Sequence, residues 1–169
     1  INPTRRGGEL ERDIEHTDCQ VIISDRIGMK ILEGLQTGVD SRSIIDVDSD
    51  EHRELIEQNR NAQLPDNETD ENSILFLLFT SGSTSAPKAV VCTNQRMAVA
   101  SVRAGQIYGV TNEEVCYCPM PLFHGNALMA CWGPALAVGA TVVLRRKFSA
   151  SNFMSDVREH GCTYFTYVG

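Results

Sequence analysis

Ile74-Leu-Phe-Leu-Leu-Phe-Thr-Ser-Gly-Ser-Thr-Ser-Ala-Pro-Lys88 is the stretch on which fold and chemistry both turn. Its first six residues form an unbroken apolar run, which predicts a strand covered on both faces, as in sheets layered between helices. At Phe79 the run gives way to a hydroxyl-rich loop over residues 80–88. Thr80, Ser81, Ser83 and Thr84 surround a single Gly82, and Lys88 follows Thr84 by four positions. A loop leaving a buried strand exposes backbone N–H groups, and glycine reaches the dihedral angles that let them converge. The hydroxyls add donors and Lys88 adds a point charge suited to phosphate. A polyphosphate is the natural guest. The composition is equally that of an ordinary Ser/Thr/Gly surface turn, and it does not separate the two. The strand-to-helix phosphate loop of nucleoside triphosphatases is excluded, because no second glycine precedes Lys88 and no Ser or Thr follows it.

Working outward, helical patterns alternate with short apolar runs. Helices are predicted over 6–16, 51–62, 94–108, 126–138 and 150–160, the last with Ser149 as N-cap and Gly161 as its stop. Strands are predicted over 21–23, 44–47, 74–79, 115–118, 141–144 and 163–168. This alternation implies an α/β fold, a three-layer arrangement with a largely parallel β-sheet. The loop at 80–88 then belongs at the C-terminal end of a strand, where open α/β sheets bind ligands. Residues 63–73 are polar throughout and read as a connecting loop between an acidic αβ portion (1–62) and a phosphate-loop portion (74–169).

The chain of 169 residues carries a net charge of −7, but unevenly. Residues 1–72 hold 18 acidic and 8 basic residues, whereas residues 73–169 hold 4 and 7. An anionic ligand is therefore expected in the second half. The acidic balance, with no basic stripe, argues against a nucleic-acid platform. Six cysteines (Cys19, Cys92, Cys116, Cys118, Cys131, Cys162) form no disulfide or zinc framework. They read as reduced, mostly buried thiols of a cytoplasmic protein. No segment approaches the roughly 20 apolar residues of a membrane-spanning helix. The chain begins at Ile1 rather than Met and stops at Gly169 inside an apolar run, so both ends are expected to be cuts in something longer.

Thr80-Ser-Gly-Ser-Thr-Ser-Ala-Pro-Lys88 resembles the phosphate-loop signature of the adenylate-forming (AMP-binding) superfamily: acyl-CoA synthetases, luciferases and the adenylation domains of peptide synthetases. Two positions depart from it. Ser85 and Ala89 stand where that signature usually has glycine, and both are small enough to preserve close backbone approach. Pro119-Met-Pro-Leu-Phe-His124, followed by Gly-Asn-Ala, is similar to the superfamily's next block. Lys147–Phe153, Thr163–Gly169 and Asn2–Leu10 are most similar to the very-long-chain acyl-CoA synthetase and fatty-acid transport protein branch. The resemblance spans nearly the whole chain and thins between residues 25 and 70.

The resemblance implies a partial adenylation domain, the central part of the large N-terminal domain of a fatty-acid–CoA ligase. Such enzymes join a carboxylate to ATP as acyl-AMP, release pyrophosphate, and pass the acyl group to CoA. By resemblance, Ser81, Gly82, Ser83, Thr84 and Lys88 hold the β- and γ-phosphates, and Thr80 also approaches Mg²⁺. His124 is implied near the carboxylate and the α-phosphate; an alternative is that it merely caps the helix at 126–138. Trp132 is expected in the core rather than in a ligand wall. Arg145-Arg-Lys147 could meet CoA phosphates or a membrane surface, allowing peripheral membrane association, or could be a solvated strand end. Further Mg²⁺ and ribose ligands and a mobile C-terminal domain with its lysine are implied beyond Gly169, so the chain alone is expected to be inactive. Two other readings stay open: an adenylation module that loads an amino or aryl acid onto a carrier protein, and a non-catalytic nucleotide-binding or fatty-acid-uptake module.

Overall fold

A computed structural model describes residues 5–66, 68–80 and 88–167, the side chains of Thr80 and Lys88 excepted. The chain divides into two compact units, residues 1–67 and 68–169.

In the first unit, helix α1 (Gly7–His16) turns Leu10 and Ile14, four residues apart, onto one buried face. They pack with Ile22 of strand β1 (Ile22–Ser24) and with Ile31, Leu32, Leu35, Val39 and Ile44. Strand β2 (Ile44–Asp46) pairs with β1 in parallel. Between them lies helix α2 (Arg26–Leu32), absent from the sequence reading. Its N-cap Asp25 accepts a hydrogen bond from the Gly28 amide at 2.8 Å. Helix α3 (Asp50–Gln58) is capped by the Ser49 hydroxyl on the His52 amide at 3.0 Å.

The second unit opens with the decisive stretch. Strand β3 (Ile74–Thr80) pairs with β4 (Lys88–Thr93), and the pairing is antiparallel. This pair departs, for a geometric reason, from the largely parallel pairing expected, which the other described strand pairs keep. Parallel neighbours need a crossover of about a dozen residues or more, whereas a short connection can only fold back as a hairpin. The expectation of burial on both faces fails here. Phe76 and Leu78 pack inward against Cys92, Met97 and Leu128, while Leu75 and Leu77 on the opposite face are exposed. Thr93 caps helix α4 (Asn94–Tyr108), accepting from the Arg96 amide at 3.2 Å, and Gly109, at φ +67°, ends it.

A parallel sheet follows in the order β6-β5-β7, with β5 (Val115–Cys118) central between β6 (Thr141–Leu144) and β7 (Tyr164–Phe165). Here the burial expected of β3 is found: Cys116, Tyr117 and Cys118 are all buried. Their alternation defines three layers. Cys116 and Cys118 face a helical segment on one side, packing with Ala127, Cys131 and Ala135. Tyr117 faces the other side, where helix α6 (Phe153–Glu159) lies; its ring meets Phe153 edge-on at 5.6 Å and its hydroxyl donates to Asp156 at 2.8 Å. Helix α6 starts later than expected: Ser149 accepts from the Asn152 amide at 3.3 Å and caps the preceding turn instead. Strand β7 is shorter than the predicted 163–168.

The helical segment opposite Cys116 and Cys118 is not a plain α-helix. Residues Ala127–Trp132 form a π-helix that runs into α5 (Gly133–Val138), and the Gly133 amide reaches back five residues to the Leu128 carbonyl. Pro134 supplies the cause. It has no N–H to offer the Ala130 carbonyl four residues back, and in a regular α-helix its ring would strike that carbonyl. Widening by one residue relieves the contact. The Tyr164 hydroxyl donates to the Ala130 carbonyl at 2.6 Å. Gly133 meets the same segment's other constraint. A Cβ built there would lie 2.4 Å from Ser101 Oγ, 2.8 Å from Met97 Cε and 2.7 Å from the Leu128 carbonyl oxygen. Met97, Ser101 and Gly105, spaced by four, form the buried stripe of α4.

Candidate active site

The hairpin brings the two ends of the hydroxyl-rich loop together. Thr80, the last residue of β3, is the register partner of Lys88, the first of β4. The proposed phosphate ligands Ser81, Gly82, Ser83 and Thr84 lie outside the described residues, as do the side chains of Thr80 and Lys88.

His124 sits on a different element of the same unit, in the turn that precedes the π-helix. Its amide donates to the Pro121 carbonyl at 3.0 Å, and its carbonyl accepts from the Leu128 amide at 3.2 Å. The second bond makes His124 part of the helix start, as the capping alternative anticipated, yet its side chain is exposed and its ring centroid lies 4.3 Å from that of Phe123. Its backbone therefore serves the helix while its imidazole remains accessible.

The π-helix joins these parts physically. Leu128, with Met129 and Trp132 beside it, packs on the hairpin residues Phe76, Leu78 and Cys92, which places Trp132 in the core as expected. On its other side Ala127 and Cys131 pack on β5. One segment thus contacts both the hairpin, through Phe76, Leu78 and Cys92, and the parallel sheet.

Sequence reasoning missed several polar groups that fix this arrangement. Asp156, 5% exposed, accepts the Tyr117 hydroxyl and pairs with Arg145 Nε at 3.1 Å. Arg145 is thereby engaged in holding α6 to the sheet, and its amide donates to the Cys118 carbonyl at 3.2 Å. Thr166 donates to Asn126 Oδ1 at 2.9 Å, across 40 residues of sequence. A basic residue closing a strand, and polar residues at alternate positions near its end, were the only sequence signals for these ties.

All six cysteines are free, with Cys92, Cys116, Cys118 and Cys131 buried. Burial raises the Cys116 thiol above its ordinary pKa, and the adjoining Cys118 thiol together with burial raises Cys131 further. Both shifts disfavour the thiolate, as expected of buried thiols in apolar surroundings. Among the described residues no three His, Cys, Asp or Glu side chains are grouped to hold a metal, and no helix is long and apolar enough to cross a membrane.

The family model described as AMP-binding enzyme matches residues 1–169. A steroid-22-oyl-CoA synthetase of Rhodococcus jostii is 49% identical over the whole chain, and a medium/long-chain-fatty-acid–CoA ligase of Mycobacterium marinum is 42% identical over the same extent. The chain spans 31% and 32% of their lengths. Among solved structures, the o-succinylbenzoate CoA synthetase of Bacillus subtilis in complex with an acyl-adenylate intermediate superimposes with a TM-score of 0.77 at 25% identity, covering 99% of this chain and 41% of that one.

Proposed function

The chain belongs to the AMP-binding enzyme family, and on that premise we propose that it forms the phosphate-loop portion of an AMP-forming acid–CoA ligase acting on a carboxylate attached to a long apolar group. A fatty acid is the first substrate class. A steroid side-chain carboxylate is the second, favoured by the identity to the Rhodococcus synthetase. The carboxylate oxygen attacks the α-phosphorus of ATP and pyrophosphate leaves. The CoA thiol then attacks the acyl carbon, and AMP leaves.

Charge neutralisation and alignment supply most of the catalysis in the first step. Lys88 and the Ser81–Thr84 donors would hold the β- and γ-phosphates and stabilise the departing pyrophosphate. ATP enters as its Mg²⁺ complex. Mg²⁺ draws most of its ligands from phosphates and water, so one protein oxygen, from Thr80, is a sufficient local contribution. His124 would orient the carboxylate toward the α-phosphate. A cytoplasmic location and completion of the site by a C-terminal domain belong to the same reading.

The observation that carries it is the Thr80–Lys88 register pair. It closes the hydroxyl-rich run into one loop whose two ends are adjacent, as convergence on a single triphosphate requires. The test is acid-dependent exchange of labelled pyrophosphate into ATP by the full-length ligase, with fatty acids, steroid carboxylates, and amino or aryl acids offered separately. Exchange with either of the first two classes supports the reading. Exchange only with amino or aryl acids, or with none, contradicts it.

A further inference from the structure

We infer that Thr166 is a positioning residue for adenylation, holding through Asn126 the turn that presents His124. The inference rests on the reading of His124 given above and adds to it the device that fixes its geometry.

The turn needs such a device. His124 is exposed, and its recorded backbone bonds, to Pro121 and Leu128, run only within its own segment. Gly125, next in the chain, has no described residue beyond its own neighbours and helix backbone within 4 Å of where a Cβ would sit. Among the described residues the imidazole's ring contact is with Phe123 of the same turn, 4.3 Å between centroids, so that contact moves with the turn and does not fix it to the sheet. Two residues beyond His124, Asn126 is tied to the sheet: the Thr166 hydroxyl donates to its Oδ1 at 2.9 Å.

Thr166 does not act singly. It lies two residues after Tyr164, so both point to one face at the C-terminal end of the strand, while Phe165 between them points to the other and stacks edge-on against Phe153 at 5.0 Å. Tyr164 takes the Ala130 carbonyl that Pro134 leaves without its usual donor. Tyr164 and Thr166 together hold the helical segment at two points four residues apart, Ala130 and Asn126. The first point fixes the wide turn. The second lies nearest His124. Parallel sheets bind ligands at this strand end, and misplacing a reacting group by about 1 Å can cost on the order of 10²-fold in rate.

The experiment measures pyrophosphate exchange and thermal melting of the full-length ligase carrying Thr166→Val, Thr166→Ser, Asn126→Ala, His124→Ala, and His124→Ala combined with Thr166→Val. Thr166→Val is expected to lower kcat about 10-fold with KM for ATP changed less than about 2-fold, since positioning and not nucleotide binding is lost. Thr166→Ser, which keeps the hydroxyl, is expected to restore most of kcat, and Asn126→Ala to reproduce the Thr166→Val loss from the other side of the bond. In the His124→Ala background, Thr166→Val is expected to cost nothing further. Equal losses with and without His124 would overturn the inference while leaving His124 in place. A His124→Ala variant as active as the parent would overturn both. If Thr166→Val melts early, the Asn126→Ala and Thr166→Ser pair decides: no kcat loss in Asn126→Ala, or no recovery in Thr166→Ser, also overturns it.

Discussion

Tyr117 donates its hydroxyl to Asp156 at 2.8 Å from the centre of the parallel sheet to the helix that covers it, and Arg145 closes the same carboxylate from the strand alongside. Asp156 is buried while Arg145 is partly exposed, so removing the carboxylate strands a buried phenol and a half-solvated cation. Asp156→Ala is expected to lower unfolding stability by about 2–3 kcal/mol. Tyr117→Phe, which deletes one donor and keeps the ring, should cost only about 1 kcal/mol. Urea denaturation of the two variants checks the ordering; a harmless Asp156→Ala would show that α6 is held by its aromatic contacts alone.

Alkaline pH should act on the same structure. Burial first, and then the Asp156 hydrogen bond, push Tyr117 up to about 12; burial first, with nearby thiols and Tyr108, pushes Tyr164 up to about 12. Both folded-state values lie above the ordinary value of 10. Their contribution is therefore complete below about pH 10 and is lost as pH rises toward 12. The urea midpoint should stay level to about pH 10 and then fall, with tyrosinate absorbance rising together with unfolding. Tyr164→Phe is expected to flatten part of that fall. A midpoint independent of pH across this window would contradict the burial of both phenols.

Gly133, the first residue of α5, faces α4 closely: a Cβ there would overlap the Ser101 hydroxyl, the Met97 methyl and a backbone carbonyl. Only the side chains can give way. Gly133→Ala is expected to destabilise by about 2 kcal/mol. Gly125→Ala meets nothing within 4 Å among the described residues and should fall within about 0.5 kcal/mol of the parent. Thermal melting of the pair separates steric fit from loss of backbone freedom.

Much of this was legible in the sequence, for identifiable reasons. Helix α4 and strands β5 and β6 were read to the residue, because each is bounded by polar or glycine residues and carries an unambiguous period. The antiparallel return of β4 was not legible: an apolar run says that a strand is present, not which way its neighbour travels, and Val90-Val91 was too short to declare itself. The π-helix was hidden inside an apolar segment, although Pro134 carried the signal, since a proline four residues after Ala130 must free a carbonyl. Helix α2 was announced by Asp25 ahead of Ile27, Ile31 and Leu32 and went unread. In the candidate site, residues 80–88 and His124 stood out by local chemistry. Thr166 and Asp156 could not, because each is tied to a partner some 40 residues away that local pattern does not reveal.

The 169-residue chain by itself should not catalyse adenylation. It spans about a third of the curated relatives it matches, and the hairpin leaves Leu75, Leu77, Val90 and Val91 exposed. Pyrophosphate release from the isolated chain is expected to stay at background with or without a fatty acid. Robust fatty-acid-dependent release would show that residues 1–169 hold a complete site.

The most direct measurement is steady-state pyrophosphate exchange by the full-length ligase carrying Lys88→Ala or Ser83→Ala, with ATP and acid varied in turn. If the loop closed by Thr80 and Lys88 grips the triphosphate, Lys88→Ala should lower kcat/KM for ATP about 10²-fold and Ser83→Ala by a smaller factor, with KM for the acid little changed. Parental kinetics in both variants would mean that ATP is held elsewhere.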